Sequence, residues 1–393
     1  MIEAHQAACR YRLQRVRDQL LAADVHAVLL FDPINIRYAS DTSNMQVWTL
    51  HNEARYLLVS ATGQVVLWEF HNCAHLHAGN QQVDEIRDAK PLSFFSAGSR
   101  MAETQSRFAA ELASLLHAYA GEPVRLAVDR ADFDALRALQ DHEVTILPGQ
   151  GLMEQARLIK SEDELQLMRA SIAVAEQGIE RMHAACQPGT SEIELWSLLH
   201  AENIRKGGEW IETRLLNSGE RTNPWMREAG HKKLQHGELL CFDTDMIGPY
   251  GYCADISRTW TVGHSLPSAA QAELYRHAYE QIQHNMALLE PGASLAEISQ
   301  GAWKIPERYW KNRYSYLMHG VGMADEYPGV HHWGEDWERC GYDLILEPNM
   351  CLCVESFIGD IAGGEGVKLE QQVLISEHGV QELSTTPWND DWL

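Results

Sequence analysis

The stretch Leu239–Trp260 reads LLCFDTDMIGPYGYCADISRTW, and the rest of the chain is best understood outward from it. Asp243 and Asp245 lie two residues apart, so a β-strand through both would turn both carboxylates to one face. The turn Gly248-Pro249-Tyr250-Gly251 then reverses the chain and brings a third acid, Asp255, up on the returning strand. Three carboxylates converging on one side of a hairpin repel one another unless a cation compensates them. On this stretch alone, the acids read equally well as turn caps or as partners of Arg258.

Two further stretches shift that balance. YSYLMHGVGMADEYPGV, Tyr314–Val330, sets His319 ahead of Gly320-Val321-Gly322, a backbone able to pass close to a ligand, with Asp325 and Glu326 at short spacing behind it. LEPNMCLCVESFIGDIAGGEGVKLEQQVLIS, Leu346–Ser376, embeds Glu355 and Glu370 in apolar, strand-like runs. A glutamate inside a buried strand is costly unless it is paired or bound to a metal. Asp243, Asp245, Asp255, His319, Glu355 and Glu370 together form a hard-oxygen, one-imidazole set. It suits iron, manganese, cobalt or zinc, as one ion or as two bridged by carboxylates.

Composition narrows the class. A chain of 393 residues, 45% hydrophobic and 22% charged, is long enough for two or three domains and for a sizeable core. It contains no run of eighteen apolar residues, so a membrane span is not expected. The net charge of −23 opposes the positive surface that nucleic acid requires. Eight scattered cysteines without a CxxC pair read as reduced thiols rather than a zinc-thiolate site. The N-terminus MIEAHQAACRYRLQRVRDQLLAAD has the pattern of an amphipathic helix and not of a secretory signal, so a cytoplasmic location is expected.

Periodicity gives the organisation. A helix near 6–22 leads to a buried strand at Val25–Phe31, and Arg55–Phe70 reads as a hairpin about Gly63. A helix at about 103–120, a strand at Arg125–Asp129, a helix at about 131–140 and a strand at Glu143–Leu147 follow. Pro148-Gly149-Gln150-Gly151 breaks the pattern and marks a candidate boundary. Beyond it, Ser161-x-x-Glu164 is a capping box ahead of a long periodic helix, with a second helix at about 191–206. Strands near 212–218, 238–246 and 251–262, helices near 267–290 and 294–303, and a β-rich last ninety residues complete an α+β reading. The division is placed between residues 1–155 and 156–393.

The order Asp, Asp, His, Glu, Glu resembles the pita-bread superfamily of methionine aminopeptidase, prolidase and creatinase. The landmarks Leu346-Glu347-Pro348, Gly366-Val367-Lys368-Leu369-Glu370 and ARLIKSEDELQLMR at Ala156–Arg169 agree with it. The resemblance implies a creatinase-type N-terminal α/β domain followed by a pita-bread catalytic domain. Peptidases of the superfamily carry a histidine on the loop before the aspartate hairpin, where this chain reads Ser218-Gly219-Glu220-Arg221-Thr222-Asn223-Pro224-Trp225. They carry another in an HE-x-P element, where it has Asp325-Glu326-Tyr327-Pro328, and usually a glycine where it has Asp245.

Those departures resemble one branch, the DddP-type dimethylsulfoniopropionate (DMSP) lyases. The shared segments include FDPINIRYASDTSNMQVW (Phe31–Trp48), HAENIRKGGEWIETRLL (His200–Leu216), GERTNPW, LMHGVGMADEYP and VKLEQQVLI. Relative to such enzymes the chain is expected to lack an N-terminal stretch. The resemblance implies β-elimination of DMSP to dimethyl sulfide and acrylate, with Asp325 as the base and Tyr314 at the metal pocket. It further implies one or two divalent transition-metal ions per subunit, iron favoured over zinc, manganese, cobalt or nickel, and a homodimer acting on a small molecule. A sulfonium binds aromatic faces as quaternary ammonium does, so Trp48, Trp225, Trp333 and Trp337 are candidate contacts. The competing reading is a hydrolase of the same fold acting on an Xaa-Pro dipeptide or a small ectoine- or creatine-like compound.

Overall fold

The computed structural model describes residues 1–120, 123–130 and 133–393, with the side chains of all of these except 133–135. Two compact units emerge: Ile2–Arg157, and Leu158–Leu393 together with Met1. In the first unit, the apolar run at Val25–Phe31 becomes the strand Ala27–Leu30, buried at all four positions. It pairs antiparallel with Tyr56–Ser60 and parallel with Val124–Val128. These belong to a six-stranded mixed sheet that runs Glu85–Asp88, Val65–Glu69, Tyr56–Ser60, Ala27–Leu30, Val124–Val128, Val144–Pro148. Leu112 and Leu116 of the helix Met101–Ala120 join Leu58, Trp68 and Leu126 of the strands in one core. The helix expected over about 131–140 is seen as Phe133–Gln140, and residues 131 and 132 lie outside the described residues.

The Pro148–Gly151 break does not part the two units. It opens a further helix, Gln150–Leu158, nearly all of which belongs to the first. Among the described residues no helix is long and apolar enough to cross a membrane. All eight cysteines are free, and six of them are buried.

The second unit is built on capped helices and one long sheet. Glu162–Ala185, Glu192–Arg205, Ala269–Met286 and Leu295–Gly301 each begin after a serine whose hydroxyl accepts from the backbone three residues on, with the reciprocal Glu or Gln bond present. Such a box satisfies two orphan N–H groups and fixes where each helix starts. The eight-stranded sheet runs Asp325–Val330, Met318–Val321, Cys351–Gly359, Gly366–Ser376, Ser257–Thr261, Leu239–Asp243, Leu216–Ser218, with Gly379–Glu382 also paired to Gly366–Ser376. Cys351–Gly359 is buried along its whole length, and Ala269–Met286 packs against it through Ala278 and Ile282.

Around the aspartates the structure departs from a simple hairpin. The strand Leu239–Asp243 ends at Asp243, and Asp245 sits in the left-handed region with φ of 35°. Met246–Ile247 and Cys253–Ala254 pair in a separate three-stranded sheet, so Asp255 falls between Cys253–Ala254 and Ser257–Thr261. The three carboxylates therefore meet through a change of sheet rather than through the two-residue alternation of one strand.

Candidate metal centre

Each of the six acids and imidazoles singled out by sequence reaches one region of the second unit. One ligand atom each from Asp243, Asp245 and Asp255 lies within 4.8 Å of the other two, and the same holds for Asp243, Glu355 and Glu370. Asp255, His319, Cys353 and Glu370 form a third such group. Sheet register explains the glutamates, since Glu355 and Glu370 are direct partners across Cys351–Gly359 and Gly366–Ser376. His319 comes from the neighbouring strand Met318–Val321, paired with Cys353. Its Nε2 lies 3.3 Å from Glu355 Oε1, 3.6 Å from Glu370 Oε1 and 3.7 Å from Asp255 Oδ2. Its Nδ1 lies 3.0 Å from the carbonyl of Gly320, a contact that as a donated hydrogen bond turns Nε2 toward the acids.

The electrostatics are those of a centre built for a cation. Burial, then the charge of Glu370, pushes Asp243 up to about 8 and Glu355 to about 6. Burial, then neighbouring acids, raises Asp245 and Asp255 well above the usual carboxylate range. Glu370 goes the other way: burial opposes its charge, but Lys368 and His319 hold it well below the ordinary value. Glu355 Oε1 and Glu370 Oε1 are buried with no hydrogen-bond partner. A carboxylate oxygen in that state is expensive unless something positive meets it. Unsatisfied oxygens, a hard donor set and an oriented imidazole thus fit a divalent metal ion. Cys353 lies within the third group, its thiol raised above its usual value by burial, then by Asp255.

Lys368 and Ser257 were not legible as site residues from the motifs. Lys368 Nζ is fully buried, 2.5 Å from Glu355 Oε2, 3.0 Å from Glu370 Oε2 and 3.1 Å from Asp243 Oδ2. Ser257 Oγ sits 2.8 Å from Asp243 Oδ1 and 2.8 Å from Glu370 Oε2. The available signal was alternation: Lys368 is two residues before Glu370 on one strand and therefore shares its face. Arg258, the partner first considered for the acids, instead bonds the Glu370 carbonyl and Gln371 and lies 3.7 Å over the Trp388 ring.

Asp325 stands at the rim, its Oδ1 3.9 Å from His319 Nδ1 and 45% of its side chain open to solvent. The protein packed around it still raises its carboxyl above the usual range. Tyr314, partly buried, packs against the cluster of Leu215, Trp225, Cys241 and Phe357, its ring centroid 4.8 Å from Lys368 Nζ, and burial, then Glu355, pushes its phenol upward. Gly320 and Gly322 serve the sheet rather than a ligand. A Cβ on Gly320 would fall on the carbonyls of Tyr327 and Glu326, and one on Gly322 on the Glu326 carboxylate.

Of the aromatic candidates, Trp225 stacks on Phe357 at 6.0 Å and, with Lys311, Arg313 and Tyr314, lines a cleft of about 220 Å³. Trp333 and Trp337 face each other at 5.4 Å. Trp48 belongs to the first unit, packed near Phe70 and Phe95.

Fold and site together define a class: a creatinase-type domain followed by a pita-bread domain with an acid-and-imidazole metal centre. The family model for metallopeptidase family M24 matches residues 166–377, and that for the creatinase/prolidase N-terminal domain matches residues 12–159. Solved structures agree on the fold. The Xaa-Pro dipeptidase from Bacillus anthracis superposes with a TM-score of 0.76 at 22% identity over 96% of this chain and 98% of that one. Prolidase from Pyrococcus furiosus gives 0.74 at 19% over 95% and 100%. Among curated proteins, dimethylsulfoniopropionate lyase DddP of Roseovarius nubinhibens is 42% identical over 96% of this chain and 86% of its own length. The protein of the same name from Roseobacter denitrificans is 41% identical over 97% and 86%. The chain belongs to metallopeptidase family M24 and, within it, to the family of the DddP dimethylsulfoniopropionate lyases.

Proposed function

We propose that this chain is a metal-dependent carbon–sulfur lyase that cleaves DMSP to dimethyl sulfide and acrylate. The observation that carries the reading is likeness over nearly the whole chain to two proteins named as DMSP lyases. In this reading residues 1–155 form the creatinase-type domain and 156–393 the catalytic domain. Asp243, Asp245, Asp255, His319, Glu355 and Glu370 hold one or two ions, with iron favoured. A divalent cation bound there supplies Lewis acidity toward the substrate carboxylate.

The chain's own residues do the rest. Asp325, raised above the usual range and reached by solvent, takes the proton from the carbon next to the carboxylate. The electron pair left behind becomes the new carbon–carbon double bond. The bond from the β-carbon to sulfur breaks, its pair stays on sulfur, and a neutral thioether leaves. Tyr314, its phenol kept protonated by burial, offers a hydrogen-bond donor beside the centre. Trp225, which lines a cleft with Tyr314, is the aromatic face assigned to the sulfonium.

The protein is a cytoplasmic homodimer in this reading. Its free thiols suit a reducing compartment, and the exposed Phe94 and Phe95 of the first unit offer apolar surface for a second copy. The test is product stoichiometry. Purified protein and DMSP should yield acrylate and dimethyl sulfide one to one, and turnover should slow with substrate deuterated next to the carboxylate. Acrylate without thioether, or neither product from metal-loaded protein, rejects the assignment.

A further inference from the structure

The metal-ligating acids have two oxygens each, and the fold treats those oxygens differently. Oε2 of Glu355, Oε2 of Glu370 and Oδ2 of Asp243 all contact the buried ammonium of Lys368 at 2.5–3.1 Å. Ser257 Oγ, itself 2.8 Å from Lys368 Nζ, reaches Asp243 Oδ1 and Glu370 Oε2. The other oxygen of each glutamate, Oε1, has no hydrogen-bond partner and is the one nearest His319 Nε2. One cation thus takes one oxygen of each glutamate and leaves the opposite one unspent.

We propose that Lys368 is a positioning residue for the metal, its ammonium and the Ser257 hydroxyl anchoring Asp243, Glu355 and Glu370 so that the Oε1 atoms of the two glutamates face the ion. The inference rests on the ligand set proposed above and is independent of the substrate. Three features of the structure support it. The ammonium is fully buried, so its position is set by the sheet and not by solvent. Lys368 and Glu370 share a strand face, and Glu355 is the cross-strand partner of Glu370, so all three are fixed by one register. The Tyr314 ring stands over the ammonium at 4.8 Å and walls off that flank.

The sign of the effect separates this role from simple charge. Coulomb's law alone says that a fixed cation a few ångströms from a metal site repels the ion, so that neutralising it would tighten binding. Positioning says the reverse. Without Lys368 the three carboxylates lose their shared anchor, and the glutamate oxygens are no longer held in the arrangement the ion requires.

The experiment is Mn²⁺ titration of the metal-stripped full-length protein, followed by calorimetry and by the electron paramagnetic resonance signal of free Mn²⁺. Lys368→Met is expected to raise the Mn²⁺ Kd at least tenfold, and Lys368→Arg, which keeps the charge, to return it to within about threefold of the parent. Circular dichroism on each protein checks the fold. Should Lys368→Met fail to fold, Lys368→Gln, which keeps a donor without the charge, is judged by the same criterion. A neutral variant that folds and binds Mn²⁺ as tightly as the parent, or more tightly, overturns the proposal. Failure of the ligand set itself looks different: the unsubstituted protein then takes up no Mn²⁺.

Discussion

Glu355 and Glu370 are direct partners across an antiparallel pair of strands, both buried at these positions, so two carboxylates are delivered to one point by register alone. Like charges placed opposite each other weaken a sheet. Here the conflict is met on one side by Lys368, while on the other both Oε1 atoms lack hydrogen-bond partners and lie nearest His319. The centre is a place where the fold accepts local cost in return for a cation site.

Removing a ligand should therefore remove metal before it removes structure. Glu370→Gln and His319→Ala are each expected to fold and to hold less than half the metal of the parent by elemental analysis. Activity should be lost in proportion. Either variant with full metal content would take that residue out of the ligand set.

The pH dependence follows from Asp243 and Glu355. Their ordinary values are 3.8 and 4.5, and burial, then Glu370, raises them to about 8 and about 6 in the folded, metal-free protein. Between ordinary and raised values the folded state binds more protons than the unfolded one, so metal-free stability falls as pH climbs through that window. His319, held well above 6.5 by Asp325 and Glu355 against the opposing effect of burial, contributes in the same direction above that pH. Glu370 is shifted down and acts only below 4.5. Metal replaces those protons, so the rise in Tm on adding Mn²⁺ should grow between about pH 5.5 and 8.5. A Tm increment that is flat across this range would contradict the charge state described.

Asp325→Asn separates the proposed base from the proposed ligands. The change is nearly isosteric and lies outside the six, so metal content and Tm should match the parent. Dimethyl sulfide release should fall by roughly 10²-fold or more, the usual scale for removing a general base. Near-normal turnover would move the base to another group.

Gly320→Ala tests the packing that seats His319. The added methyl would meet the carbonyls of Tyr327 and Glu326 on the facing strand. The expected loss is about 1–3 kcal/mol, on the order of 2–10 °C in Tm, with weaker metal retention. An unchanged melting curve would show that the strand Asp325–Val330 yields without cost.

Much of this was legible in the sequence, for identifiable reasons. Glutamates in apolar runs conflict with burial, so Glu355 and Glu370 announce themselves. Serine–glutamate spacing fixes a helix start at Ser161. What escaped was tertiary. Nothing local says that the strand stops at Asp243, that Asp245 adopts a left-handed conformation, or that the chain changes sheet between them and Asp255. Lys368 was hidden because a lysine in a motif reads as surface charge until the facing strand is known. Gly320 and Gly322 looked like room for a ligand, yet the room is filled by a neighbouring strand and the Glu326 side chain.

The most direct test of the central claim is headspace detection of dimethyl sulfide from metal-loaded protein given DMSP, beside the same protein given Gly-Pro and longer Xaa-Pro peptides. The account predicts sustained thioether release that stops on chelation and returns with metal, with no peptide cleavage. Peptide cleavage without dimethyl sulfide, from folded and metal-loaded protein, would leave the fold standing and contradict the lyase assignment.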